Sequence, residues 1–300
     1  MNYRHSYHAG NFADVLKHAT LALVIEHLKR KPAPFRVIDT HAGAGLYELD
    51  KGPAEKTGEW RQGIGRLLGR EAGPLPDSVE ELLAPYLAAV AAENIPGELN
   101  LYPGSPRLTR TLLRPQDRLI ANELHPEDGQ LLKELFGRDS QTKVLQLDGW
   151  MALKSLLPPK ERRGVILIDP PFEEPGELER LKKGLLEAAE RFPTGVYLLW
   201  YPIKDAKLIA AFHESLAGLG LPKLLAAELM IRPPHVVTRL NGAGLVVLNP
   251  PFQLDETLAR LLPFLAERLG QEPGAGCRVE WLVGEAFGHQ QEHNPKLHSR

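Results

Sequence analysis

Val165-Ile166-Leu167-Ile168-Asp169-Pro170-Pro171-Phe172 governs how the rest of this 300-residue chain is read. Four branched apolar residues in succession have the length of a strand buried on both faces. The two prolines that follow can neither continue a central strand nor enter a helix freely, so they hold one extended, rigid loop. An aspartate at its entrance and an aromatic ring at its exit suit an amine on a planar ring. The Asp169 carboxylate and the Pro170 carbonyl accept hydrogen bonds from an NH2 group, and Phe172 stacks on the ring. An exocyclic amine is a poor nucleophile because its lone pair is delocalised. Acceptors around its hydrogens favour pyramidalisation and aim the lone pair at an electrophilic methyl, so catalysis rests on positioning and electrostatics. A proline turn with a buried Phe is the other reading of these residues.

Working outward, strand-like runs alternate with helical ones. Phe35–Ile38, Arg118–Asn122, Lys143–Leu147, Gly195–Trp200, Leu224–Ile231, Leu245–Leu248 and Arg278–Val283 read as strands. Helical patterns cover Leu16–Leu28, Pro126–Phe136, Leu178–Arg191, Asp205–Leu216 and Leu254–Leu269. Asn11 followed by Asp14 resembles a capping pair and starts the first helix near Phe12. Alternating βα units predict an α/β, doubly wound, mostly parallel sheet. From Gly52 to about Pro103 the composition turns to Ala, Leu and Glu, punctuated by Gly69, Gly73, Pro74 and Pro76, with no convincing strand. Residues 52–102 are therefore expected to form a helical insertion hanging off a main domain of residues 1–51 and 103–284. Residues 285–300, with His, Gln, Asn and Pro, read as a disordered tail.

Hydrophobic residues at 43% and charged residues at 25% are ordinary for a soluble globular protein. A single cysteine, Cys277, excludes a disulfide framework and a Cys-rich zinc site. Met1–His5 lacks the apolar core of a signal peptide, and no apolar run reaches the roughly 18 residues needed to span a bilayer. A cytoplasmic protein without a membrane partner is expected. The formal net charge of −2 argues against a protein that coats nucleic acid. It leaves room for a local patch: Arg107, Arg110, Arg114 and Arg118 recur at helical spacing, either as a basic face or as an ordinary solvated one.

The polar residues that follow each strand carry the rest of the argument, because ligands of a doubly wound sheet bind outside the carboxyl ends of its strands. Asp39-Thr40-His41-Ala42-Gly43-Ala44-Gly45 lets backbone approach a ligand closely. Glu123 ends the next strand, where an acidic side chain accepts both ribose hydroxyls of a nucleoside; a solvated glutamate is the alternative. Asp148 follows in Asp148-Gly149-Trp150, placed for an adenine amino group. Asp169 comes fourth in this order. Asn249-Pro250-Pro251-Phe252 has the same shape as the Asp169 loop but falls outside the series, and is read as a structural turn lining the substrate side. Tyr3–Asn11 is dense in aromatics and histidines, as an arm over a nucleotide pocket or a frayed terminus. His5 and His8 lack the partners of a metal site, so no metal is expected.

Taken together, these residues resemble the bacterial 23S rRNA adenine-N6-methyltransferases of the RlmJ family. Tyr3–Asn11 with Ala13–His18 carries the most specific likeness. It extends through Asp39–Gly45, Tyr102–Pro106, Glu123–Pro126, Asp148-Gly149, Ile168–Pro171, Leu199–Pro202 and Asn249–Pro251, up to about Val283. The resemblance implies a class I, Rossmann-like methyltransferase fold with a small helical insertion, and S-adenosylmethionine as cofactor. It implies cofactor contacts at His18, His41, Ser105, Glu123, Asp148, Gly149 and Asp169, with Asp169 also the proton acceptor. Tyr3 would touch the substrate. Phe172 departs from the Tyr common in the family: stacking survives, a hydroxyl hydrogen bond does not. The implied partner is 23S rRNA, protein-free or in an early assembly intermediate, acted on by a monomer. A DNA adenine-N6 methyltransferase, or a non-catalytic RNA-binding protein of the same fold, are the competing expectations.

Overall fold

The computed structural model describes residues 4–284, so Tyr3 and the 285–300 tail lie outside the described residues. A short 3-10 turn, His5–Tyr7, leads into helix α1, Phe12–Lys29. The Asn11 side chain caps α1, accepting from the amides of Ala13 and Asp14 at 3.0 and 3.1 Å. Asp14 does not close the reciprocal half of a capping box. Its Oδ2 accepts instead from Gly10 N at 2.9 Å.

Strand β1 (Arg36–Asp39) is followed by β2 (Leu46–Glu48) and by helices α2 (Gly52–Thr57), α3 (Gly65–Leu68) and α4 (Asp77–Ala91). Then come β3 (Leu101–Pro103), α5 (Ser105–Leu112), β4 (Arg118–Asn122), α6 (Pro126–Phe136) and β5 (Thr142–Leu145). Helix α7 (Gly149–Leu156), β6 (Gly164–Ile168), α8 (Glu177–Arg191), β7 (Val196–Ile203) and α9 (Ala206–Ala217) continue the alternation. Strands β8 (Leu224–Met230) and β9 (Gly242–Leu248), helix α10 (Leu254–Leu269) and β10 (Gly276–Val283) complete it.

Eight strands form one sheet in the order β10-β8-β9-β7-β6-β1-β4-β5. β1 is parallel to β4 and β6, β4 to β5, and β6 to β7. β9 runs antiparallel between β7 and β8, and β10 antiparallel to β8 at the edge. The chain lays β4 and β5 on one side of β1 and then returns to β6 on the other. That reversal opens the crevice in which such sheets bind ligands. Side chains of β6 alternate between two cores. Val165 and Leu167 join the layer of α1, α4 and α10; Ile166 and Ile168 join that of α7, α8 and α9.

Two expectations change here. Segment 52–102 carries the helices α2, α3 and α4 as far as Ala91, but Leu83, Tyr86 and Val90 of α4 are fully buried in the same core as α1, so the segment does not hang off the sheet. Its neck is closed by the antiparallel pair β2–β3, whose three-residue strands are too short to leave a periodic signal. Nor do the arginines share a helical face. Leu113 is already extended and Pro115 follows it, so Arg118 belongs to β4. Arg107 pairs with Glu93 at 2.8 Å, Arg110 with Asp139 at 2.5 Å and Arg114 with Asp117 at 2.8 Å. Each charge is engaged within the chain.

Candidate active site

At the carboxyl edge a pocket opens between the ends of β1, β4 and β6 and the first turns of α5 and α7. Six residues that the resemblance implies as cofactor contacts, His41, Ser105, Glu123, Asp148, Gly149 and Asp169, line it. The Thr40 hydroxyl donates to Leu167 O at 3.0 Å, so its oxygen accepts from His41 Nδ1–H at 2.8 Å. That leaves Nε2 of His41 as an acceptor. Burial pulls the His41 imidazole down to about 4, and the ring is neutral near pH 7. The ring lies so close to Gly149 that a Cβ there would meet His41 Cε1 at 2.6 Å and Nε2 closer still. Gly43, with φ of +61°, donates its amide to Glu123 Oε2 at 2.7 Å, while His125 N donates to Oε1 at 2.7 Å. Burial pushes the Glu123 carboxyl up against the pull of these two amides. Each oxygen keeps a lone pair for a hydroxyl. Asp148 caps α7, its Oδ1 accepting from Trp150 N at 3.1 Å and Met151 N at 3.0 Å. Its Oδ2 takes no hydrogen bond among the described residues.

Asp169 stands at the end of β6 with Oδ2 2.5 Å from Lys17 Nζ, and Lys17 lies 2.9 Å from Asp14 Oδ1. Lys17 is 3% exposed. Burial works against its ammonium, but Asp14 and Asp169 more than restore it and raise its pKa. From the sequence alone Lys17 takes no site role and Asp14 reads only as a helix cap. The available signal was an i,i+3 charged pair inside an otherwise apolar, buried helix, which calls for a specific reason. Beneath the pocket, burial pushes the Asp39 carboxyl up to about 7, opposed by Ser105 and Lys17. The N-terminal segment lies against the glycine-rich loop: His5 lines the pocket, and Arg4 pairs with Glu127 at 2.8 Å and Asp128 at 3.0 Å.

Two expected contacts are not brought into the pocket. His18 is fully buried behind its wall, with Nδ1 2.7 Å from the Tyr102 hydroxyl and the two rings stacked. Phe172 takes a left-handed backbone, φ +52°, and packs its ring edge-on against Trp200 at 5.7 Å. It faces the groove of Pro202, Leu208 and Phe212 on the far side of its loop. Asn249 is corrected more strongly. Its Nδ2 donates to Pro193 O and Gly195 O, both at 2.8 Å, which fits the structural turn. Yet Leu248 pairs with Tyr197 at the start of β7, so Asn249 sits at the opposite edge from Asp169 and lines no substrate side.

The pocket is lined by seven carboxylates against two permanent cations, Lys17 and Arg180, a field that suits a positively charged ligand. With acceptors at successive strand ends, the residues present fit a sulfonium-bearing nucleoside. The fold is that of the class I methyltransferases, an open α/β sheet whose order reverses beside a glycine-rich strand end. The family model described as "Ribosomal RNA large subunit methyltransferase D, RlmJ" matches residues 32–283. Ribosomal RNA large subunit methyltransferase J of Escherichia coli K12 is 42% identical over 95% of this chain and all of its own length. The protein of the same name from Haemophilus influenzae is 40% identical over the same shares. A crystal structure of protein LPL1258 from Legionella pneumophila superposes with a TM-score of 0.81 at 33% identity, covering 91% of this chain and 98% of that one. The chain belongs to the RlmJ family.

Proposed function

We propose that this protein transfers a methyl group from S-adenosylmethionine to the exocyclic N6 of an adenine in 23S rRNA, acting as a cytoplasmic monomer on protein-free or early-assembly RNA. The observation that carries the reading is Asp169 at the end of β6, beside a pocket whose acceptors follow the order of a nucleoside cofactor. When bound, S-adenosylmethionine supplies an electrophilic methyl on a positively charged sulfur. Glu123 holds the ribose hydroxyls and Asp148 Oδ2 the adenine amino group. Gly43, Gly149 and Ser105 let backbone and a small hydroxyl approach, His41 Nε2 accepts a hydrogen bond, and His18 braces the wall through Tyr102.

The target adenine is turned out of the RNA to reach the loop. Asp169 and the Pro170 carbonyl accept from its N6 hydrogens. Asp169 would then take the N6 proton that turns acidic as the amine gains the methyl group that the bound cofactor would supply. Phe172 stacks on the adenine after turning from Trp200, and Tyr3 touches the substrate. Residues 1–51 and 103–284 form the methyltransferase domain, with 52–102 inserted.

The test is incubation with labelled cofactor and 23S rRNA lacking the modification. Label in an adenine is expected from the wild type, with most turnover lost in Asp169→Asn although cofactor still binds. Label in duplex DNA and none in rRNA would move the assignment to a DNA methyltransferase. An Asp169→Ala protein that fully sustains the cellular role would leave only RNA binding.

A further inference from the structure

Asp14 is a carboxylate at 1% exposure inside the first turn of α1, and both of its oxygens are occupied. Oδ1 lies 2.9 Å from Lys17 Nζ. Oδ2 accepts from Gly10 N at 2.9 Å and from His5 Nε2 at 3.0 Å. Burial alone would push this carboxyl up. His5 and Lys17 outweigh that and hold it well below the usual carboxylate range, so it stays anionic. The Lys17 ammonium is therefore shared between two carboxylates, Asp14 and Asp169, neither able to claim it alone.

We propose that Asp14 is a positioning residue for methyl transfer: through Lys17 it fixes where the ammonium stands against Asp169, and through His5 and Gly10 it ties that placement to the N-terminal segment. The inference rests on Asp169 being the catalytic carboxylate. With Asp14 neutral, Lys17 keeps a single charged partner, and its ammonium, already 2.5 Å from Asp169 Oδ2, is no longer held away from Oδ1, the oxygen left to accept the substrate amine. A buried ammonium paired on one side only is also the costlier arrangement, so Asp14 serves as its second counter-charge. An acidic residue in a first turn also complements the helix dipole, but that role alone moves stability and not turnover.

Asp14→Asn tests this in the full chain, with kcat on 23S rRNA at saturating S-adenosylmethionine, cofactor Kd by calorimetry and the melting curve measured together. The expected result is a kcat at least tenfold lower, per folded molecule, with Kd within threefold of wild type. Turnover within twofold of wild type overturns the proposal, as does a tenfold loss of affinity with kcat unchanged. If Asp14→Asn fails to fold, Asp14→Glu retains the charge but moves it by one methylene. It is expected to bind cofactor normally and lose at least fivefold in kcat, and wild-type turnover from it overturns the proposal equally. Asp169→Asn run in parallel separates the two readings. If it retains wild-type turnover, the catalytic assignment itself falls; if it is dead beside a fully active Asp14→Asn, only the role of Asp14 falls.

Discussion

Replacing Gly149 with Ala adds one methyl group to the pocket wall, against the His41 ring. Gly149 lies in the helical region at the start of α7, so Ala suits its backbone and strain there plays no part. The new Cβ would meet His41 Cε1 at 2.6 Å and Thr40 O at 3.0 Å, both inside ordinary contact distance. Thr40 O belongs to the backbone and cannot retreat, so the His41 ring must swing away and give up its 2.8 Å bond to Thr40 Oγ1. Overpacking of this size costs about 1–3 kcal/mol. Ala in place of Gly in a helix returns roughly 1 kcal/mol. Net stability should therefore change by less than about 2 kcal/mol, a shift of a few degrees in melting temperature. Affinity has no such compensation. Displacing the ring closes the site, and a tenfold rise in cofactor Kd corresponds to about 1.4 kcal/mol. Calorimetry with S-adenosylmethionine should show at least that rise, alongside a near-normal melting curve. The decisive comparison is the double variant with His41→Ala, in which the obstacle is gone and Gly149→Ala should cost little more. An equal affinity loss in both backgrounds would refute the steric account.

Asn249→Ala removes two 2.8 Å hydrogen bonds and puts Ala at φ +53°, so a loss of about 2–3 kcal/mol in denaturant unfolding is expected, with kcat per folded molecule retained. Asp39 gives a pH signature. Its folded pKa, raised to about 7 from 3.8, contributes stability that is present at low pH and lost as pH rises through 7. The wild type should gain about 2 kcal/mol relative to Asp39→Asn between pH 8 and pH 5.5, read from urea unfolding at both values. A constant difference would mean that Asp39 is ionised throughout.

Helix α6 and strand β4 were legible to the residue, because His125-Pro126 starts one and a continuous apolar run defines the other. β9 was read only from Leu245, since Gly242 and Gly244 carry no strand signal. Gly244 is glycine because the Tyr201 ring occupies the space of its side chain. In the site, acceptors at strand ends were legible because topology alone places them on one edge. The Lys17–Asp169 contact was not, as it joins residues 152 positions apart. Phe172 was predicted by type but not by direction. A non-glycine φ of +52° is set by how the loop closes, which local sequence does not reveal.

The antiparallel β9 has a consequence for anyone scanning genomes with the Pro-Pro-Phe tripeptide. This chain returns two hits, and the register of β6, β7 and β9 sets them four residues, about 13 Å, apart along the strands, facing opposite rims of the sheet. Changing Asn249 to Asp would perfect the motif and create no second reaction centre, since no cofactor acceptors converge there. Motif searches of such folds gain a filter from polarity: a hit counts only when its strand climbs in the same direction as its glycine-bearing neighbour.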